Sequence, residues 1–204
     1  MNTLVQVFAR APVLGEVKSR LTAGVGAERA LDVYRQLLRF TLLQVASSGF
    51  DLEVWMQGAD GEAMSDLLTG SDMNVAVHTQ AGGDLGQRMH HALVHGQKRY
   101  PRVLLVGSDC IDLSPGRLRL ASDALERGAD VVLGPSADGG YYLVAPAQSH
   151  SILFRDVQWG SSKVWGQSLE RITRLGWTLT ELPLGHDLDD VDDLKTALKW
   201  GVVQ

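Results

Sequence analysis

Apolar positions along this chain follow two rhythms that take turns. Short β-branched or apolar runs stand at Thr3–Phe8, Leu52–Met56, Val75–Val77, Val103–Val106, Val131–Leu133, Tyr142–Val144 and Leu179–Leu182, each bounded by turn residues. Between them the spacing becomes helical. Over residues 28–46, Leu31, Tyr34, Leu38, Leu42 and Val45 share one face, with Arg29, Arg35 and Arg39 on the other. Further helices are predicted over 85–98, 162–175 and 191–200. Another is opened by Ser114-Pro115, a cap residue followed by proline, and carries Leu118, Ala121, Ala124 and Leu125 before Gly128. Strands alternating with helices predict an α/β fold around a largely parallel sheet, as one domain over residues 1–204.

Composition adds exclusions. The chain has 204 residues, 45% of them hydrophobic and 21% charged, which is ordinary for a globular protein with a sizeable core. A net charge of −5 argues against a nucleic-acid partner, whose binding surface would be basic. Cys110 is the one cysteine, so no disulfide framework is expected and a reducing compartment fits. No signal peptide and no long apolar span is read, so a soluble, cytoplasmic protein without a membrane span is expected.

The unusual residues follow the predicted strand ends, where open α/β sheets bind ligands. ARAPVLGEVKSRL, residues 9–21, sets Arg10, Lys18 and Arg20 around a Pro-Gly turn. Three cations and exposed amides suit a polyanion such as a nucleoside triphosphate, although the P-loop spacing is absent. The plainer reading is a solvated basic loop. QAGGDLGQRM, residues 80–89, offers Gly82, Gly83 and Gly86 for close backbone approach, and Asp84 as a helix cap. His91 and His95 lie four apart just beyond it, but no third metal ligand stands near in sequence, so both are read as surface residues.

VLLVGSDCIDL, residues 103–113, ends an apolar strand on Asp109 and then Asp112. GPSADGGYYLV, residues 134–144, holds turn chemistry at Asp138-Gly139-Gly140 beside Tyr141 and Tyr142, and DVQWGSS follows with Ser161 or Ser162 as a helix cap. Finally HDLDDVDDL, residues 186–194, carries five acids in seven positions. Helix capping and the helix dipole account for those nearest the helix start. They leave Asp187, which in extended backbone shares a face with Asp189. Asp109 from one strand end, with Asp189 or Asp187 from another segment, would make an open Mg²⁺ site of the kind that leaves room for water and substrate phosphates.

In this order the groups resemble the nucleotide-diphospho-sugar transferase (GT-A) superfamily. More narrowly, they resemble short bacterial GT-A-like proteins of poorly defined activity, with the pattern FARxPxxGxVKTRL, QxxGDLGxRM, GSDxPxL, GPxxDGGYYL, WxT and DxDTxEDL. Molybdenum-cofactor and 2-phospho-L-lactate guanylyltransferases are more distant likenesses. The resemblance implies a three-layer Rossmann-like GT-A fold with a mostly parallel mixed central sheet. It implies a catalytic role for Lys18 and Asp109, and nucleotide contacts from Ala9, Arg10, Lys18, Arg20, Gly83, Asp84, Leu85 and Gly86. It places Asp138, Gly139, Gly140, Tyr141 and Trp159 around a small-molecule acceptor, and Asp109 with Asp189, or Asp187, on Mg²⁺ or Mn²⁺.

This chain departs from the pattern at Ser19, at Ile111 in place of proline, at Ser161-Ser162 and at Asp190 in place of threonine. Ile111 frees an amide and is expected to loosen the turn after Asp109. The expected activity is Mg²⁺-dependent transfer from a nucleotide donor, with a triphosphate favoured over a nucleotide sugar. A nucleotide-binding regulator without turnover is the reading from another class.

Overall fold

The computed structural model describes residues 3–58 and 75–204. Its strands are β1 (Thr3–Arg10), β2 (Asp51–Gln57), β3 (Ala76–Thr79), β4 (Arg102–Gly107), β5 (Val131–Pro135), β6 (Tyr141–Pro146) and β7 (Leu179–Glu181). They form one sheet in the order β3-β2-β1-β4-β6-β5-β7. Strand β6 is antiparallel to both neighbours, β4 and β5, and the other pairs are parallel. The expected mostly parallel, mixed sheet is therefore present.

The helices are α1 (Ser19–Val25), α2 (Ala27–Ala46), α3 (Leu85–Gln97), α4 (Pro115–Glu126), α5 (Val164–Leu175) and α6 (Val191–Lys199), with a 3₁₀ turn at Ser151–Phe154. Strands covered on both faces need apolar residues along most of their length, and β1 and β4 have them. On one face Val5, Val7, Leu104 and Val106 pack against Tyr34, Leu38 and Leu42 of α2 and Leu118 and Ala121 of α4. On the other, Leu4, Phe8, Val103 and Leu105 meet Met89, Ala92 and Leu93 of α3 and Ile172 of α5. The result is three layers. Gln6, like Thr3, is a fully buried polar residue within β1, and its amide donates to the Ala92 carbonyl at 2.8 Å.

A third apolar cluster joins Leu21 of α1, Val33 and Leu37 of α2, and Leu194 and Ala197 of α6 to Ile111 and Leu188. It lies under the ligand-bearing edge and seats the two segments that carry the acids. Helix α1 occupies what reads in sequence as the tail of a basic loop. Its seven residues hold a single buried apolar side chain, Leu21, too few to show a helical period. Ser114 caps α4 as expected, accepting from the Arg117 amide. Helix α5 starts at Val164, and neither Ser161 nor Ser162 is its cap residue. Ser161 instead donates to the Gln158 carbonyl at 2.7 Å.

Candidate active site

Strands β1, β4 and β5 all run toward one edge of the sheet, and β6 starts there because it is antiparallel. The loops after β1 and β4 and the β5–β6 connection therefore meet at that edge. Between them lie two adjoining spaces. One is a cleft of about 620 Å³ whose lining includes Arg10, Lys18, Arg20, Asp84, Arg88 and Asp189. The other, about 280 Å³, includes Ser136, Asp138, Gly140, Tyr141 and Asp187. Phe8, Leu85, Gly107, Asp109, Trp159 and Gly160 line both. Asp109 thus stands where the two chambers join.

The acids reach Asp109 through backbone pairing. The Leu188 amide donates to the Asp109 carbonyl, and the Ile111 amide to the His186 carbonyl, each at 2.9 Å. Cys110 and Asp187 form an antiparallel bridge between these donors. The amide freed by isoleucine at position 111 is therefore used. The turn is pinned rather than loosened, and Ile111 itself is buried in the third cluster.

In the acid-rich stretch, Asp190 caps α6, accepting from the amides of Asp192 and Asp193, while Asp193 reaches back to the amides of Asp189 and Asp190. Asp192 pairs with Lys195 on the surface. Helix capping and surface pairing thus take three of the five acids. Asp187 and Asp189 remain, and they face the chambers.

Lys18 is the cation that meets this acid group. Its backbone is left-handed at φ 51°, and its side chain is only 5% exposed. The ammonium stands 2.9 Å from Asp109 Oδ1 and 3.7 Å from Asp189 Oδ1, and donates to the Leu188 carbonyl. Arg20 lies 3.6 Å from Asp189 Oδ2 with a largely exposed side chain. Burial, then the charges of Asp109 and Asp138, push the Asp187 carboxyl up to about 7. More negative charge is gathered here than one ammonium neutralises.

Backbone geometry shapes the walls. Asp84 caps α3 with a reciprocal Gln87 contact, as its position in the motif predicts. Gly83 and Gly86 do not line either chamber. A Cβ on Gly86 would stand 2.7 Å from the Trp159 ring, so this glycine lets the indole close against α3. Ser136 Oγ and the Gly140 amide both donate to Asp138 Oδ1, at 2.6 and 2.9 Å, fixing the turn before β6. Gly139 stands behind that turn at φ 89°, where a Cβ would lie 2.7 Å from the Ser162 carbonyl. Tyr141 meets Trp159 edge-on at 6.2 Å and forms the aromatic wall of the smaller chamber.

Ala9, Arg10, Lys18, Arg20, Asp84 and Leu85 come together in the larger chamber, and Asp138, Gly140, Tyr141 and Trp159 in the smaller. Asp112 stands apart. It pairs with Arg117 at 2.7 Å and His186 at 3.2 Å and accepts from the Cys110 thiol. Burial raises its proton affinity, but the hydrogen bonds from Cys110 and His186, then the charge of Arg117, hold its carboxyl below the usual range. Three wall residues escape sequence reasoning. Tyr34 looks like one more core position of α2, yet its hydroxyl donates to the Arg10 carbonyl and accepts from the Arg10 amide, both at 2.8 Å. Burial, then Asp109, push its phenol up to about 12. Gln80 and Arg88 lie within the glycine-rich motif, and Arg88 donates to Gln80 Oε1 at 3.1 Å in the wall of the larger chamber.

The family pattern described as uncharacterized protein conserved in bacteria (DUF2064) matches residues 41–161. The chain belongs to this family. A crystal structure of a candidate nucleotide-diphospho-sugar transferase from Desulfovibrio desulfuricans G20 is 30% identical, with a TM-score of 0.87 over 96% of this chain and 85% of that one. Rv0371c from Mycobacterium tuberculosis H37Rv, solved as a complex with manganese, is 20% identical, with a TM-score of 0.57 over 96% and 98% of the two chains. The inositol-1-phosphate CTP transferase from T. maritima is 13% identical, with a TM-score of 0.63 over 97% and 95%. These last two share the fold. No curated protein matches the chain by sequence. The resemblance to the nucleotide-diphospho-sugar transferase superfamily, read above from six motifs, is borne out.

Proposed function

We propose that the protein is a metal-dependent transferase that takes a group from a nucleotide donor, a nucleoside triphosphate by preference, and passes it to a small acceptor. One observation carries this reading: Asp109 and Lys18 meet at the junction of a cation-flanked chamber and an aromatic-walled one. The larger chamber would take the nucleotide, with Arg10, Lys18 and Arg20 toward its phosphates. A lysine acts on phosphate as a point charge and an arginine as a fork, so the two can hold different oxygens. The smaller chamber would take the acceptor between Tyr141, Trp159 and the Asp138 turn.

The donor set fits a hard divalent cation. Asp109, Asp187 and Asp189 are oxygen ligands at one place, and an ammonium already bridges two of them. Asp109 with Asp189, or Asp187, would hold Mg²⁺ or Mn²⁺. The manganese complex of the mycobacterial protein with this fold supports that choice of ion. When bound, the ion would offset charge that grows on the phosphate oxygens during transfer. In nucleotidyl transfer an acceptor oxygen bonds to the α-phosphorus and the bond to pyrophosphate breaks. Lys18 would stay with the departing charge, and Asp109 would orient the reacting end of the donor at the chamber junction.

Glycosyl transfer is the second reading, favoured by the name of the D. desulfuricans relative. A thermal-shift screen of nucleoside triphosphates and nucleotide sugars with Mg²⁺ separates the two. A donor at a hundred times its dissociation constant adds about 2.7 kcal/mol of stability, which is readily seen. Selective stabilisation by triphosphates, with pyrophosphate released in a metabolite mixture, supports nucleotidyl transfer. Selective stabilisation by nucleotide sugars supports glycosyl transfer. Tight binding without turnover would make the protein a regulator, and no shift with either class would refute the nucleotide site.

A further inference from the structure

Glu53, His78 and His95 meet on the sheet face covered by α3, away from the chambers. Glu53 lies in β2 and is 4% exposed. His78 is on the edge strand β3, where it faces Trp55 in register, and His95 comes from the last turn of α3. One ligand atom from each residue lies within 4.8 Å of the others. Glu53 Oε2, His78 Nε2 and His95 Nδ1 are all buried, and none has a hydrogen-bond partner among the described residues. One orphaned polar atom on each of three clustered side chains is unusual, because each gives up water without replacing it.

Their pairing does not resolve the shortage. His78 Nε2 stands 3.6 Å from Glu53 Oε2, too far for a hydrogen bond. That separation is close to the roughly 3.4 Å expected between two ligands of one tetrahedral zinc ion. Arg99 occupies Glu53 Oε1 and so turns Oε2 toward the imidazoles. Trp55 stacks on His78 at 4.8 Å and meets the edge of His95 at 5.4 Å, which fixes both rings. His95 therefore finds its partners across the sheet and not at His91, the residue four positions away in sequence.

We propose that Glu53, His78 and His95 form a second metal site, for Zn²⁺, with a fourth position open to water. Two imidazole nitrogens and one carboxylate oxygen suit zinc, whereas the all-carboxylate group at Asp109 suits Mg²⁺ or Mn²⁺. The ion would tie the edge strand to β2 and α3.

The test is equilibrium dialysis of the full chain against Zn²⁺, in an Asp109→Asn, Asp187→Asn, Asp189→Asn background that removes the three cleft acids. One zinc equivalent retained, with a raised thermal midpoint that Mg²⁺ does not reproduce, is the expected result. Adding His95→Gln, or His78→Gln on the more exposed edge strand, should weaken zinc binding at least tenfold. Melting both variants without metal checks that they fold. Zinc binding unchanged in two folded variants, or no zinc retained by the parent background, overturns the proposal.

Discussion

Lys18 holds together charges that would otherwise repel. Its ammonium touches Asp109 and Asp189 from a nearly buried position, and burial, then the charge of Asp109, raises the proton affinity of Asp187 beside them. Replacing it with methionine keeps the stem and removes the charge. Breaking a fully buried pair costs about 3–5 kcal/mol, but Asp109 and Asp189 are 43% and 36% exposed and partly screened. A loss on the order of 1–2 kcal/mol is expected for Lys18→Met without metal. Mg²⁺ or Mn²⁺ should then raise the thermal midpoint of the variant more than that of the parent, because the ion takes over the missing charge. Equal metal response in both proteins would mean that the carboxylates do not form one cation site.

At the scale of elements, two kinds of contact fix the ligand edge, and they differ in how far sequence reveals them. Strand β4, the Ser114-Pro115 start of α4 and the Asp84 cap of α3 are local events that hydrophobic period and cap chemistry predict. The pairing of residues 109–111 with 186–188 is not local, and no motif encodes it. Asp187 could be singled out because capping left it over, and Asp189 because it shares a face with Asp187, but their meeting with Lys18 depends on that bridge. The His–Glu cluster is not legible in sequence for the same reason: its members come from two strands and a helix, and sequence spacing alone reads His95 as a surface residue.

A second long-range tie joins β5 to β7. Asp130, just before β5, accepts from the Thr178 amide and hydroxyl at 2.8 and 2.7 Å. These hydrogen bonds hold the Asp130 carboxyl below its ordinary value. A group with a lowered folded pKa stabilises above its unfolded pKa and loses that contribution as pH falls through the folded value. Asp130→Ala should therefore melt earlier than the parent at neutral pH, and the gap should close in acid. A gap that is constant with pH would show that the carboxylate charge is not what holds this corner.

For the molecule as a whole, the sheet order brings every ligand-bearing loop to one edge, and the antiparallel β6 brings the Asp138 turn there as well. That arrangement makes two chambers with a shared acid, and the reading of the protein as a nucleotide-dependent transferase rests on it. The direct test is Asp109→Asn, which preserves size while removing the charge at the junction. Nucleoside triphosphate binding is measured by titration calorimetry with and without Mg²⁺, on parent and variant. The account predicts that Mg²⁺ tightens binding to the parent and that the variant loses most of this enhancement. Removing one of two carboxylates from a phosphate-bound ion should cost about 2–3 kcal/mol, roughly a hundredfold. The same Mg²⁺ enhancement in Asp109→Asn as in the parent would contradict it.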